Sequence, residues 1–318
     1  MENLVTVVVT SYNHSNYIEE CIQSIFSQTF SKLELIIIDD ASTDDSVEKI
    51  KKLLLNSPFP AEKIFLTKNG GLVNARNIAL SRKLSKYVLF VDSDNYLPRD
   101  YIEKLYVLAE KTNKDIIYAD LKEANSDKTF MKAREYSLES LLLGNYIDSC
   151  SLIRTDIIGN IRYDTFLNYK KLEDYDFVLN LIIRNNAQSL YCKDTYLNYR
   201  VLSNSLSRQG NHNSEQYYYE IYLYIISKFL DLIPNEINYT LKTTILGMEK
   251  RIFDLVTHLS DVTNYVLDLE KNNQTLDQKN ITLSEKYKEE IENHRAELIN
   301  EKISLNYQTK KMKNCQIY

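Results

Sequence analysis

Two hydrophobic periodicities alternate along the first 120 residues, and this alternation limits the fold more than any other feature of the chain. The run Leu4 to Val9 is continuously apolar and rich in β-branched residues, as a buried strand is. In Asn16 to Ser27, the residues Ile18, Cys21, Ile22 and Ile25 recur at helical spacing, and Asn16 and Glu19 have the spacing of a capping box. The pattern then repeats. Leu33 to Ile38 precedes a helix through Val47, Ile50 and Leu54, and Ile64 to Leu66 precedes a helix from about Leu72 to Lys83. Tyr87 to Val91 precedes a helix entered at Pro98, a favoured first-turn residue, and Ile116 to Ala119 is a fifth strand. Strands alternating with helices of this length predict an α/β fold with βαβ units and a parallel sheet covered on both faces. Ligands of such sheets sit at the carboxyl ends of the strands. The polar residues after each strand are therefore the candidates: Thr10-Ser11-Tyr12-Asn13, Asp39-Asp40-Ala41-Ser42, Asn69-Gly70-Gly71 and Asp92-Ser93-Asp94-Asn95.

The alternation breaks from about residue 121 into shorter, more polar segments, read as a substrate-facing extension of the same sheet. Residues 215 to 258 read as Tyr-rich amphipathic helices interrupted at Pro234. From about 260, Leu269, Leu276 and Leu283 lie seven apart, with Asn273 and Asn280 at the complementary core positions, and after a phase slip Ile291, Leu298 and Leu305 follow. A stuttering two-stranded coiled coil fits this spacing, and so does a long solvated helix. If the coiled coil forms, the C-terminal helices pair two copies into a homodimer.

With 318 residues, 44% of them hydrophobic, the chain can bury the core of one large or two smaller domains. It has only 6 Gly and 4 Pro, against roughly 22 and 16 at average usage. Neither the G-x-G-x-x-G fingerprint nor a phosphate-binding G-x-x-x-x-G-K-[ST] loop is present, so any nucleotide is held by other means. A net charge of −5 argues against nucleic acid as a partner. The scattered Cys21, Cys150, Cys192 and Cys315 read as reduced thiols of a cytoplasmic protein. Leu4 to Val9 is too short for a signal peptide, and no window is long and apolar enough to span a membrane. Membrane association, through Lys310-Lys311-Met312-Lys313 for instance, would be peripheral.

The strongest chemical signal is Asp92-Ser93-Asp94 at the end of a buried strand. Two hard oxygen ligands there suit Mg²⁺ or Mn²⁺, which would neutralise a diphosphate. The same triplet also fits a helix-capping turn, or a phosphatase of the haloacid dehalogenase type, although that family usually has Thr or Val where this chain has Tyr96. Asp39-Asp40 fits a helix cap or the acidic cluster of a receiver domain. Arg76 brings a guanidinium toward the same sheet edge, where phosphate or a carboxylate would meet it. Glu173-Asp174-Tyr175-Asp176 opens a helix through Phe177, Leu179 and Ile182, its carboxylates serving as dipole partners or as a general base.

Together these elements resemble the inverting family 2 glycosyltransferases of the GT-A fold, over about residues 4 to 205. The resemblance is carried by Val7-Val8-Val9-Thr10-Ser11-Tyr12-Asn13, Glu34 to Asp44, Asn69-Gly70-Gly71 with Ala75-Arg76-Asn77, Asp92-Ser93-Asp94 and Glu173-Asp174-Tyr175-Asp176, in the family's order and spacing. It implies a GT-A core with a C-terminal helical extension: a nucleotide-sugar-binding half over 1–120, an acceptor-binding half over 121–212 and helices over 213–318. It further implies transfer of a sugar from a nucleotide diphosphate donor, UDP-linked, to the hydroxyl of a glycan, lipid-linked or protein acceptor in polysaccharide or glycoconjugate assembly. Thr10, Tyr12 and Asp40 would hold the nucleobase with support from Arg76, Asp92 would contact the ribose or the metal, and Asp94 would bind Mg²⁺ or Mn²⁺. Asp174 would be the base, with Asp176 a second candidate. Two departures stand out. Asn95 replaces the Asp that often follows the D-x-D, and Tyr199-Arg200-Val201-Leu202 replaces a segment that often ends in a metal-binding His. His212 is a candidate substitute, and Leu202 leaves open a scaffold or activator subunit with a partly degenerate site.

Overall fold

A computed structural model describes residues 3–202, 215–244, 247, 260, 261, 263, 286–298 and 301. The chain divides into two units, Met1–Ile233 and Pro234–Tyr318.

The first unit is built on one mixed eight-stranded sheet. Strands β1 (Val5–Ser11), β2 (Leu33–Asp39), β3 (Ala61–Phe65) and β4 (Tyr87–Asp92) run parallel in the order β3-β2-β1-β4. Helices α1 (Ile18–Phe26), α2 (Ser46–Leu54) and α3 (Leu72–Leu80) connect them, and α4 (Tyr101–Thr112) leads on to β5 (Ile116–Glu123). All seven residues of β1 are buried, which accounts for its unbroken apolar run: a central parallel strand has no solvent face. Because β2 and β4 flank β1 on opposite sides, the crossovers diverge at its carboxyl end. Thr10 and Ser11 thus lie at the switch point of the strand order, where ligands of such sheets bind.

The second half of this unit continues the same sheet with mixed direction. β7 (Leu152–Arg154) runs antiparallel to both β4 and β5, β6 (Thr129–Met131) is antiparallel to β5, and β8 (Ser189–Tyr199) is parallel to β5. β7 and β6 are thus the antiparallel members of the mostly parallel, helix-flanked sheet that the GT-A resemblance implies; β6 follows β5 directly, and such a neighbour needs no crossover helix. The remaining elements are α5 (Leu138–Leu142), α6 (Thr155–Ile158), a 3-10 turn at Thr165–Leu167, α7 (Glu173–Asn185) and α8 (Glu215–Ser227).

Two expected helix starts differ. The capping box does not form: Tyr17 is the N-cap of α1 with no side-chain cap, and the Tyr17 and Ile18 amides instead donate to the His14 carbonyl at 2.9 Å each. Pro98 lies in a turn before α4, its carbonyl accepting from the Tyr101 amide at 3.0 Å, and the helix begins after Asp100. The tryptophan-free core uses tyrosines whose hydroxyls find main-chain acceptors: Tyr101 reaches the Cys150 carbonyl and Tyr175 that of Leu141, both at 2.7 Å. Cys21, Cys150 and Cys192 are free thiols within this core. Burial drives the Cys21 thiol far above its ordinary range, leaving it protonated and inert.

In the second unit, residues 235–244 and 286–298 are helical, with Pro234 at the break. Tyr287, Ile291, His294 and Leu298 form the half-buried stripe of the latter helix, at i, i+4, i+7 and i+11. The heptad positions 269 to 283, Leu305, Cys315, His212 and the lysines at 310 to 313 lie outside the described residues. Among the described residues, no helix is long and apolar enough to cross a membrane.

Candidate active site

The registers Thr10↔Asp92 and Ser11↔Asp39 put the polar ends of β1, β2 and β4 side by side. Thr10 Oγ1 donates to Asp92 Oδ1 at 3.1 Å, and the Ser93 amide to the Thr10 carbonyl at 3.1 Å. Asp39 and Asp40 then part ways. Asp39 accepts from the Ser42 amide and hydroxyl, closing the turn after β2. Asp40 turns toward the α3 entry, its two oxygens accepting from the Gly70 amide at 2.8 Å and the Gly71 amide at 2.7 Å. The Tyr12 ring, 44% exposed, stands free at the rim.

Arg76 is the hub. Only 1% exposed, it donates through Nη2 to Asp92 at 3.0 Å and to Ser149 Oγ at 3.2 Å, and through Nη1 to Glu173 at 3.0 Å. Its guanidinium lies 5.3 Å from the centre of the Tyr163 ring, and its Nε has no partner. Burial opposes the charge, but Asp92, Tyr163 and Glu173 outweigh it and raise the Arg76 pKa, so the side chain is a fixed cation. One guanidinium thereby joins the end of β4 to the start of α7, elements 81 residues apart in sequence from Asp92 to Glu173.

The start of α7 is shaped by Leu172, in left-handed backbone at φ 67°. Asp174 Oδ1 accepts from the Tyr175 amide at 2.7 Å, and Oδ2 from Asn145 Nδ2 at 3.3 Å. Burial pushes the Asp174 and Glu173 carboxyls up against the opposing pull of Arg76. Asp176 points elsewhere: fully buried, it takes a 2.5 Å ion pair from Lys228, whose Nζ also meets Asp164 at 2.9 Å, and Tyr224 donates to Asp164 at 2.7 Å. It is tied into packing between α7 and α8.

At the tip of β4, burial and then the neighbouring Asp92 push the Asp94 carboxyl up to about 7. The turn carrying it is braced from β8. The Arg200 amide donates to Asn95 Oδ1 and Arg200 Nε to the Asp94 carbonyl, each at 2.9 Å, while the guanidinium pairs with Glu20 at 2.5 Å and stacks on Tyr17. This gives Asn95 a defined task, the holding of the β8 end. His14 braces the other flank, Nδ1 lying 2.8 Å from Ser93 Oγ, and burial lowers its pKa. Among the described residues, no group of three His, Cys, Asp or Glu side chains is arranged to hold a metal ion.

The structure therefore joins Thr10, Asp92 and Arg76 by direct hydrogen bonds, with Asp94 two residues beyond Asp92 and Asp174 within electrostatic reach of Arg76, and it ties Asp40 to the Gly70–Gly71 turn. Sequence reasoning missed Asp148, Asn145 and Ser149. Asp148 Oδ1 caps the Cys150 amide at 2.8 Å, and burial followed by the charge of Asp174 pushes its carboxyl up to about 7. No local signal marks it, because Asn145 to Ser151 belongs to neither periodic pattern and reaches the site only through its contacts with Asp174 and Arg76.

The family model for Glycosyl transferase family 2 matches residues 6–171, more than half of the 318-residue chain. The chain belongs to this family. It is 37% identical over 107 residues to the glycosyltransferase GlyA of Streptococcus pneumoniae, a match covering 33% of this chain and 15% of that one. The fold is that of the GT-A members. The structure of S. aureus TarS 1-349 in complex with UDP-GlcNAc aligns with a TM-score of 0.63 at 21% identity, covering 75% of this chain and 70% of that one. The mannosyltransferase PcManGT from Pyrobaculum calidifontis, in complex with GDP-Man and Mn²⁺, aligns at 0.54 and 14% identity over 94% of this chain and 88% of that one. The chain spans less than half the length of several curated relatives it matches, among them a chondroitin synthase, of which it covers 24%.

Proposed function

We propose that this chain transfers a sugar from a UDP-linked donor to an acceptor hydroxyl, with inversion at the anomeric carbon, in the assembly of a polysaccharide or glycoconjugate. The observation that carries this reading is the Asp92–Arg76–Glu173 bridge, which holds the donor-side aspartates and the start of α7 in one fixed arrangement. TarS, with which the fold is shared, has been captured with UDP and with UDP-GlcNAc.

In this scheme Asp174 takes the proton of the acceptor hydroxyl as that oxygen forms its bond to the anomeric carbon. The bond from that carbon to the diphosphate breaks on the opposite face, the leaving group keeping the electron pair. Burial gives Asp174 a greater proton affinity than an ordinary aspartate, and the Asn145 contact and the fixed Arg76 orient it. Asp40 holds the turn beside the nucleobase through Gly70 and Gly71, and Thr10 fixes the Asp92 carboxylate.

The carboxylates fit a hard divalent cation: burial and the neighbouring Asp92 raise the cost of ionising Asp94, at an edge where Arg76 and Arg200 supply positive charge. Asp94 and Asp92 would hold Mg²⁺ or Mn²⁺, which would stabilise the charge on the diphosphate leaving group. The reading is tested by assaying UDP- and GDP-sugars for Mn²⁺-dependent hydrolysis and transfer. Asp174→Asn should cut turnover about 10²- to 10⁴-fold with UDP affinity nearly intact. Near-normal turnover in that variant removes Asp174 from the role, and no turnover of any nucleotide sugar by the wild type favours the scaffold reading that Leu202 suggests.

A further inference from the structure

Tyr169 has a conformation and a setting that packing alone does not explain. Its φ of 58° is left-handed backbone, which bulky residues rarely adopt. The loop is pinned there from the neighbouring turn: Asn168 Nδ2 donates to the Gly70 carbonyl at 2.6 Å, and Tyr169 Oη donates to Asn69 Oδ1 at 2.9 Å. Gly71, at φ 84°, allows this approach, since a Cβ there would lie 2.2 Å from Asn168 Oδ1. The same turn is gripped from below by Asp40. With its hydroxyl satisfied by Asn69, the Tyr169 ring is nonetheless 48% exposed, and it lies within electrostatic reach of both the Asp40 carboxylate and Tyr12. Two exposed rings from distant segments, Tyr169 and Tyr12, thus lie near each other, with the Asp40 carboxylate also within reach of Tyr169, at the edge where the reading above sets the donor's base.

We infer that Tyr169 is the second aromatic wall of the nucleobase subsite, stacking on the base face opposite Tyr12 while Asp40 meets the base edge. This inference rests on the nucleotide-sugar reading above. It assigns binding energy for the base to the acceptor-side loop that leads directly into Glu173 and Asp174.

The test is calorimetric titration of the full chain with UDP, with GDP and with pyrophosphate, each in the presence of Mn²⁺. Stacking on one aromatic ring predicts that Tyr169→Leu weakens UDP by about five- to a hundredfold. Pyrophosphate affinity and melting temperature should stay unchanged. Tyr169→Phe, which keeps the ring and loses only the Asn69 bond, should bind UDP within about threefold of wild type. An unchanged UDP affinity in Tyr169→Leu overturns the inference and leaves the donor reading standing. Parallel losses for UDP and pyrophosphate also overturn it, because they mark a general disturbance of the loop. A wild-type chain that binds neither UDP nor GDP overturns the donor reading and this inference with it.

Discussion

Replacing Arg76 with Met keeps most of the side-chain bulk and removes the buried cation that Asp92 and Glu173 share. Arg76 is 1% exposed, while the side chains of its partners Asp92 and Glu173 are 31% and 14% exposed. Deleting one member of a buried ion pair costs about 3–5 kcal/mol, chiefly because the partner charge is stranded. The lower end applies here, since Asp92 reaches water and Glu173 can take up a proton, so we expect a loss of about 3 kcal/mol at pH 8. In a unit the size of Met1–Ile233 this lowers Tm by about 6–12 °C. The loss should depend on pH with a definite sign. Without Arg76, the already raised pKa values of Glu173 and Asp174 rise further above their unfolded values. The folded state then binds more protons than the unfolded state across the weakly acid range, so stability falls as pH rises. The deficit relative to wild type should therefore be large at pH 8 and much smaller at pH 5.5. Thermal unfolding followed by circular dichroism at both pH values reads this directly. A Tm loss under about 3 °C at pH 8, or an equal loss at both pH values, refutes the shared-cation argument.

Lys228→Met leaves Asp164 and the fully buried Asp176 facing each other without their cation, and should cost about 3 kcal/mol; adding Asp176→Asn should restore much of it, as thermal melts of the single and double variants will show. Asp94 and Asp148, both pushed up to about 7, are protonated in the folded chain and ionised in the unfolded chain between about pH 5 and 7. Ion-free protein should therefore lose stability as pH rises through that window, and Mn²⁺ should raise Tm more at pH 8 than at pH 5. A Mn²⁺ shift that is equal at the two pH values would count against the aspartate site.

The parallel half of the fold was legible because β1, β2 and β4 and the helices between them follow local rules; β3 is the exception, since the largely exposed Ala61–Phe65 begins three residues before the apolar stretch at Ile64 to Leu66 that marks it in the sequence. Buried strands read as apolar runs, helices as 3.6-residue stripes, and the functional groups fall where strands end. The rest is non-local. Nothing near Leu152-Ile153-Arg154 announces an antiparallel strand between β4 and β5; its place is fixed by partners 35 to 67 residues away. Asp148 escaped notice for the same reason: its importance comes from being carried next to Asp174 and Arg76. The capping box at Asn16 and Glu19 failed because the His14 carbonyl was already in position to accept the first amides of α1.

The acidic run at the start of α7 shows what kind of ambiguity only three dimensions resolve. Asp174 and Asp176 have the same chemistry and the same local context, and residues two apart on a helix face nearly opposite ways. Either could be the one aimed at the candidate site, so the choice depends on the rotation of α7 about its axis. That rotation is fixed by Tyr175 and Phe177, both buried, and by Glu173 reaching Arg76. With the helix so placed, Asp176 is delivered to Lys228 and Asp164 on the α8 side, and Asp174 to Asn145. Each carboxylate then has the partner suited to a different end: a lysine cancels the charge of Asp176 and makes it a strut, whereas an amide and a helix N-terminus orient Asp174 without cancelling its basicity. Exchanging the two roles would require α7 to turn by about half a revolution, which would carry Glu173 away from Arg76 and break that bridge, so the ion pairs at the two faces hold the register of the proposed base.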